Sequence, residues 1–273
     1  MSEQKRDGPH PDWIRPGWPA PAGVAALITT RPGGCSTGPW GLPDGPGGCN
    51  LGQGQDDAAA VARNRKALAA LLPAEPVWMQ QVHGTEVIDA SRHAAAQHAV
   101  PVADAAYTTQ AGVVCCVRVA DCLPVLLADA RGRGVAAAHA GWRGLAGGVV
   151  QAAAGALRAA LGDPDARLLA FLGPAIGPAH FEVGPEVFEA MRARLPGAAT
   201  AFRQTGSDRY HADLFALGRQ ALAACAVTDV YGGGLCTYAD PQRFYSYRRD
   251  RVTGRHAALI WRTAAIAADT KPR

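Results

Sequence analysis

The run Val113-Val114-Cys115-Cys116-Val117-Arg118-Val119, the step Ala120-Asp121-Cys122 and the run Leu123-Pro124-Val125-Leu126-Leu127 decide the fold class. Neither run alternates polar with apolar residues as a half-exposed strand does. Both are short and rich in Val and Leu, the pattern of strands buried on two faces. Gly134 to His139 is a third apolar run, and it leads through Gly141-Trp142-Arg143-Gly144 into a helix that ends near Gly162, a glycine suited to a left-handed cap. Leu168 to Leu172 forms a further strand before Gly173-Pro174. Upstream, Val24 to Thr29 reads as a strand, and Asp56 or Asp57 caps a helix that continues through Leu72 and stops at Pro73. Val77 to His83 is strand-like and ends in Gly84. Downstream, Leu214, Leu217, Ala221, Leu222 and Cys225 recur at helical spacing, and Phe244–Arg248 and Ala257–Trp261 read as strands either side of a turn at Thr253-Gly254. Strands interleave with helices throughout. The expected class is α/β or mixed α+β, a layered sandwich of mixed β-sheets flanked by helices.

The chain has 273 residues, 48% of them hydrophobic, enough for a sizeable core and too apolar for a disordered chain. Residues 1–22 hold five prolines and read as an extended arm, 23–263 as a single catalytic domain, and 264–273 as a tail. The Gly/Pro-rich stretch from Pro32 to Gly54 is a long loop of the kind a compact domain keeps for a purpose. A net charge of +4, with 27 basic against 23 acidic residues and no basic stripe, argues against nucleic-acid binding. All but three of the basic residues are Arg. No window approaches the roughly 20 apolar residues of a membrane span, and the polar start lacks the apolar run of a signal peptide. Seven cysteines, with Cys115 and Cys116 pointing to opposite faces of one strand, suggest reduced thiols and a cytoplasmic protein.

Three residues share one local setting. His83, Cys122 and His139 each stand at the end of an apolar run beside small or turn-forming residues, where strands fix a side chain and loops leave room for a ligand. Two imidazoles and one thiolate make a three-ligand set suited to catalytic zinc, with a fourth position open. Their separations of 39 and 17 residues match no compact zinc finger. The same residues also admit a metal-free reading, with Cys122 as nucleophile and a His as its base.

Larger motifs follow in order: Thr29-Thr30-Arg31-Pro32-Gly33-Gly34, Asn50-Leu51-Gly52, Gln81-Val82-His83-Gly84, Ala120-Asp121-Cys122-Leu123-Pro124-Val125-Leu126, His139-Ala140-Gly141-Trp142-Arg143-Gly144 and Gly173-Pro174-Ala175-Ile176-Gly177. Cys236-Thr237, Phe244-Tyr245-Ser246-Tyr247-Arg248-Arg249-Asp250 and Thr253-Gly254-Arg255 complete the set. In this combination the chain resembles the YfiH-type family, also labelled laccase-domain, polyphenol oxidase or peptidoglycan editing factor proteins, over residues 23–262. The stretch from Leu42 to Gly48 departs from the family as a lengthened loop. The resemblance implies zinc held by His83, Cys122 and His139. It also implies phosphorolysis of adenosine, inosine, guanosine and methylthioadenosine to free base and ribose-1-phosphate, with adenosine deaminase activity.

The oxidase label fits the composition poorly. A multicopper oxidase needs many imidazole ligands, whereas this chain has eight His and no His-X-His. Copper in the His/Cys/His site would leave a weak polyphenol oxidase side activity. Phosphorolysis needs an anion site, and Arg31 before Pro32-Gly33-Gly34 suits it, with Arg248 as a second candidate and Asn50 for a ribose hydroxyl or a turn. Deamination needs water delivered to C6 of adenine, and Asp121 is the carboxylate nearest Cys122 in sequence. A cysteine- or zinc-dependent hydrolase editing peptidoglycan precursors and a non-enzymatic metal-binding interaction protein are the competing readings. Nothing in the sequence sets the oligomeric state.

Overall fold

In the computed structural model, residues 8–54, 56–94 and 100–263 are described. The chain begins with β1 (Val24–Ile28) and β2 (Pro32–Ser36), then α1 (Ala58–Ala69), whose first turn is capped by the Asp57 carboxylate accepting from the Ala59 N–H. β3 (Val87–Asp89), α2 (Ala90–Ala94) and β4 (Ala105–Thr108) precede the two apolar runs, which fold as β5 (Val114–Val119) and β6 (Leu123–Asp129). β7 (Val135–Ala140) follows, then α3 (Trp142–Gly147), α4 (Val149–Leu161) and β8 (Leu168–Leu172). β9 (Glu182–Val183), α5 (Pro185–Arg194), β10 (Phe202–Gly206), β11 (Arg209–Ala212), α6 (Leu214–Ala223) and β12 (Asp229–Gly232) lead to α7 (Tyr247–Asp250) and β13 (His256–Arg262).

Two sheets carry the architecture. A mixed six-stranded sheet runs β12-β8-β6-β7-β4-β3, and a three-stranded antiparallel sheet runs β1-β13-β5. Every residue of β6, β7 and β8 is buried, which is why these stretches read as continuous apolar runs. One face of the large sheet, with Val125, Leu127 and Ala138, packs on α4 and α6 through Val150, Leu157 and Leu217. Its other face, with Leu126 and Ala137, meets Cys115, Val117 and Ile260 of the small sheet. The outer face of the small sheet, with Cys116 and Leu259, is covered by Leu51, by Leu68 of α1 and by Trp13. The α/β layering expected from sequence is therefore present. A third small sheet, β10-β11-β9, packs on the helix-covered side of the large sheet's core through Val183 and Ala212.

Four expectations need correction. Val77 to His83 is not a strand: it makes only single bridges, Val77 to Cys115 and Gln80 to Val102, and bends at His83, whose φ is 62°. Phe244 to Arg248 is not a strand either, because the Ser246 hydroxyl accepts from the Arg249 N–H and starts a helical turn. The helix after Gly141 is two helices, parted where Gly148 takes a left-handed φ of 97°, although its end at Gly162 (φ 62°) is as expected. The Pro-rich start carries its own apolar anchors. Trp13 is buried, Ile14 bridges to Ile28, and Trp18 meets the Phe171 ring edge-on, so residues 13–18 pack onto the body. Residues 1–7 of the expected arm and 264–273 of the expected tail lie outside the described residues.

One buried group makes the fold sensitive to acid. His256 at the start of β13 accepts the Tyr245 N–H on Nε2 at 2.7 Å, a bond that needs a neutral ring. Burial and, after it, the charge of Arg255 depress its pKa from 6.5 to about 3. The unfolded chain therefore takes up a proton below pH 6.5 that the folded chain refuses, and stability falls as pH falls through that window. Between about pH 7.5 and 5.5, urea unfolding of the wild type should lose about 1.4 kcal/mol more than that of His256→Gln. Equal losses would contradict this.

Candidate metal centre and its cavity

Antiparallel β6 and β7 bring two of the three candidate ligands together. The register pairs Pro124 with His139, so Cys122, two residues before Pro124, lies on the face that presents His139. Cys122 follows Asp121, whose φ of 88° turns the chain sharply between β5 and β6. That strained turn is held by two bonds: the Asp121 carboxylate accepts the Thr237 hydroxyl at 2.6 Å and the Arg248 N–H at 2.6 Å. Asp121 is thus a brace beneath the ligand, with both oxygens engaged.

His83 arrives from the irregular segment, and a residue that the sequence reading passed over sets its position. The fully buried Asp104 carboxylate accepts the N–H groups of Val82, His83 and Gly84 at 3.1, 3.0 and 2.7 Å. The same carboxylate meets His139 Nδ1 at 2.7 Å. Burial alone would raise its pKa, but the bonds from His139, Gly84 and Val82 hold it below the usual carboxylate range. One anion therefore orients one ligand imidazole directly and the other through its backbone, leaving Nε2 of His139 for the centre.

The ligand atoms of His83, Cys122 and His139 all lie within 4.8 Å of one another, and Cys122 Sγ is 3.7 Å from His83 Nε2. A tetrahedral zinc ion would separate a sulfur and a nitrogen ligand by about 3.6 Å, so the donor set fits zinc in kind and the Cys122–His83 pair fits it in spacing. Burial opposes ionisation of the Cys122 thiol, but the charge and hydrogen bond of His139, and then those of His83, pull its pKa down to about 6. Gly141 keeps the space between the ligands clear: a Cβ there would stand 2.6 Å from His83 Cδ2 and 3.0 Å from Cys122 Sγ.

The three residues line a cavity of about 620 Å³. Its walls differ in character. Trp142, Ile176, Phe181 and Leu214 make an apolar side, while Arg118, Arg143, Arg248 and Arg255 bring charge. Arg248 lines it, with Nη1 on the Glu182 carbonyl at 2.8 Å and its guanidinium over the Phe181 ring. Arg31 does not. Its Nε and Nη1 donate to the Gly41 and Pro241 carbonyls, so the fork that seemed free for phosphate closes its own loop. Asn50 is likewise structural in its contacts: Oδ1 accepts the Gly52 and Arg255 N–H groups and Nδ2 donates to Asp56. Of the unexpected lining residues, Arg118 had a legible signal, a lone charge inside a Val-rich run.

This geometry defines a class: an α/β layered protein with a His/Cys/His three-ligand centre opening into a cavity of small-molecule size. Residues 25–263 match the family described as multi-copper polyphenol oxidoreductase laccase, and the chain belongs to that family. It is 47% identical to a purine nucleoside phosphorylase of Pseudomonas aeruginosa over 91% of this chain and 98% of the relative. It is 46% identical to the purine nucleoside phosphorylase YfiH of Escherichia coli K12, with the same coverage. Among solved structures, it resembles protein NMB0706 of Neisseria meningitidis with a TM-score of 0.84 and 44% identity, over 93% of this chain and all of that one. YlmD of Geobacillus stearothermophilus gives a TM-score of 0.84 at 33% identity, over 92% of this chain and 96% of that one. Among the described residues, the His83/Cys122/His139 group is the one cluster of three or more such ligand side chains. No described helix is long and apolar enough to cross a membrane.

Proposed function

We propose that this protein is a purine nucleoside phosphorylase working at the His83/Cys122/His139 centre. The observation that carries the reading is the cavity: three convergent ligands, an apolar wall for a base and sugar, and arginines for an anion share one space of about 620 Å³. The relatives named for this activity, 46–47% identical over nearly their whole length, support it. Its substrates are adenosine, inosine, guanosine and methylthioadenosine. Phosphate oxygen bonds to ribose C1′ as the C1′–N9 bond breaks. The electron pair leaves with the purine, which takes up a proton, and ribose-1-phosphate remains, or its 5-methylthio analogue from methylthioadenosine.

His83, Cys122 and His139 would hold zinc, and the ion would supply Lewis acidity at the reacting group. Asp104 holds His139 in one tautomer, and the apolar wall excludes water from the sugar. Adenosine deaminase is a side activity of the same centre, in which water adds at C6 and ammonia leaves. Copper in place of zinc would support a weak phenol oxidation with dioxygen as the electron acceptor. A cysteine hydrolase acting on peptidoglycan precursors is the second reading, favoured by the lowered pKa of the Cys122 thiol, about 6, and its position 3.7 Å from His83.

Chromatography of adenosine incubations separates these. Adenine that appears only with phosphate, falling at least about 100-fold in Cys122→Ala and on zinc chelation, is the expected result. Inosine formed without phosphate marks the deaminase. Turnover indifferent to chelators but abolished by a thiol reagent would overturn the metal-centred reading in favour of the hydrolase.

A further inference from the structure

We infer that Arg118 and Arg255 form a two-armed clamp for a tetrahedral oxyanion, and that this clamp is the phosphate subsite of the cavity. The assignment rests on the phosphorylase reading for the identity of the anion. It is carried by sheet register, by anchoring and by the lack of a carboxylate paired with either guanidinium among the described residues.

The register of β5 on β13 pairs Ala257 with Arg118 and His256 with Val119. Arg255, two residues before Ala257, therefore falls on the same face as Arg118, as its diagonal neighbour across the ladder, within reach of a long side chain. The residue opposite Arg118 is Ala257, whose side chain is a single methyl. Both arginines line the cavity that contains Cys122.

Each guanidinium is anchored on one side only. Arg118 donates through Nη2 to the Met79 carbonyl at 2.7 Å, and its buried Nε has no hydrogen-bond partner. Arg255 is tied through Nη1 to the Thr253 and Gly254 carbonyls. Aromatic planes hold them further: Arg118 lies over Trp78 and Arg255 over Tyr247, each at 5.8 Å. Such fixed forks are prepared for bidentate contact with an oxyanion.

Among the described residues, neither Arg118 nor Arg255 has a carboxylate within ion-pair distance, whereas Arg133, Arg167 and Arg209 elsewhere all do. The opposite charges that reach Arg255 are first that of Cys122, itself one of the three candidate metal ligands, and then that of Asp121, whose oxygens are committed to Thr237 and the Arg248 N–H. Burial, and then the charge of Arg255 on Arg118 and of Arg118 on Arg65, lowers the pKa of Arg118 and Arg65. A bound anion relieves that repulsion. Arg31 and Asn50, tied into the 32–54 loop, do not compete for the role.

The test uses the zinc-loaded full chain and inorganic phosphate, with Arg118→Met, Arg118→Lys and Arg255→Gln. Two readouts are taken: the rise in melting temperature on adding phosphate without nucleoside, and KM for phosphate against KM for inosine. The wild type should be stabilised by phosphate, and Arg118→Met and Arg255→Gln should each lose that shift. Their KM for phosphate should rise about 10- to 100-fold while KM for inosine stays within about twofold. Arg118→Lys, which keeps the charge but not the fork, should fall between. Arg255→Gln decides alone if Arg118→Met fails to fold. A folded Arg255→Gln with unchanged phosphate shift and unchanged KM would overturn the clamp, as would a wild type that phosphate does not stabilise. If the wild type is stabilised through these arginines yet makes no ribose-1-phosphate, the clamp stands and the phosphorylase reading falls.

Discussion

Gly141→Ala should abolish metal binding and turnover together while leaving a folded protein. Gly141 has φ −65° and ψ 161°, values open to alanine, so the backbone does not object. The obstacle is local. The new methyl would stand 2.6 Å from His83 Cδ2 and 3.0 Å from Cys122 Sγ, closer than carbon atoms pack, and 3.4 Å from His83 Nε2. His83 is the ligand able to yield, being exposed on an irregular segment, and its displacement breaks the three-ligand set. Zinc content measured after dialysis should fall from about one ion per chain to near zero, with turnover down at least about 100-fold. The metal-free melting temperature should stay within a few degrees of wild type. A variant that keeps both zinc and rate would show that the space between these three side chains is not where the ion sits.

Asp104→Asn should cost both stability and metal affinity. Oδ2 accepts the Val82 and Gly84 N–H groups, while Oδ1 accepts the His83 N–H and meets His139 Nδ1. An amide can offer only one oxygen, so whichever way it turns its NH2 faces N–H donors in a fully buried position. The unfavourable contacts should cost about 2–4 kcal/mol in urea unfolding. Loss of the carboxylate from His139 should also weaken zinc binding about 10- to 100-fold, read by chelator competition. Unchanged zinc affinity would mean that the imidazole is oriented by the strand alone and that Asp104 serves only the loop.

How much of this was legible depended on where each residue's hydrogen bonds go. β5, β6, β7 and β8 were visible because strands buried on both faces leave an unbroken apolar run. Cys122 and His139 were visible as the polar residues that interrupt such runs at their ends. The local structure around His83 was not, because Val82, His83 and Gly84 bond to the side chain of Asp104, some twenty residues on, rather than to a strand ladder. Arg31 misled for a related reason. An arginine beside Gly33-Gly34 suits an anion as well as it suits the carbonyls of Gly41 and Pro241, and only the fold shows which are near. Asp104 and Arg118 do carry a signal in hindsight: each is a lone charge within a stretch of Ala or Val. β9 to β11 and α5 left little trace, since their two to five strand residues mix charge and aromatics without a clear period.

The most direct test of the central claim is the phosphorus NMR spectrum of zinc-loaded protein incubated with inosine and inorganic phosphate, beside Cys122→Ala. Phosphorolysis at this centre predicts that the phosphate resonance declines as a ribose-1-phosphate resonance grows, and that the variant leaves the spectrum unchanged. A wild-type spectrum with no new phosphorus signal, or a variant that forms ribose-1-phosphate at the wild-type rate, would contradict it.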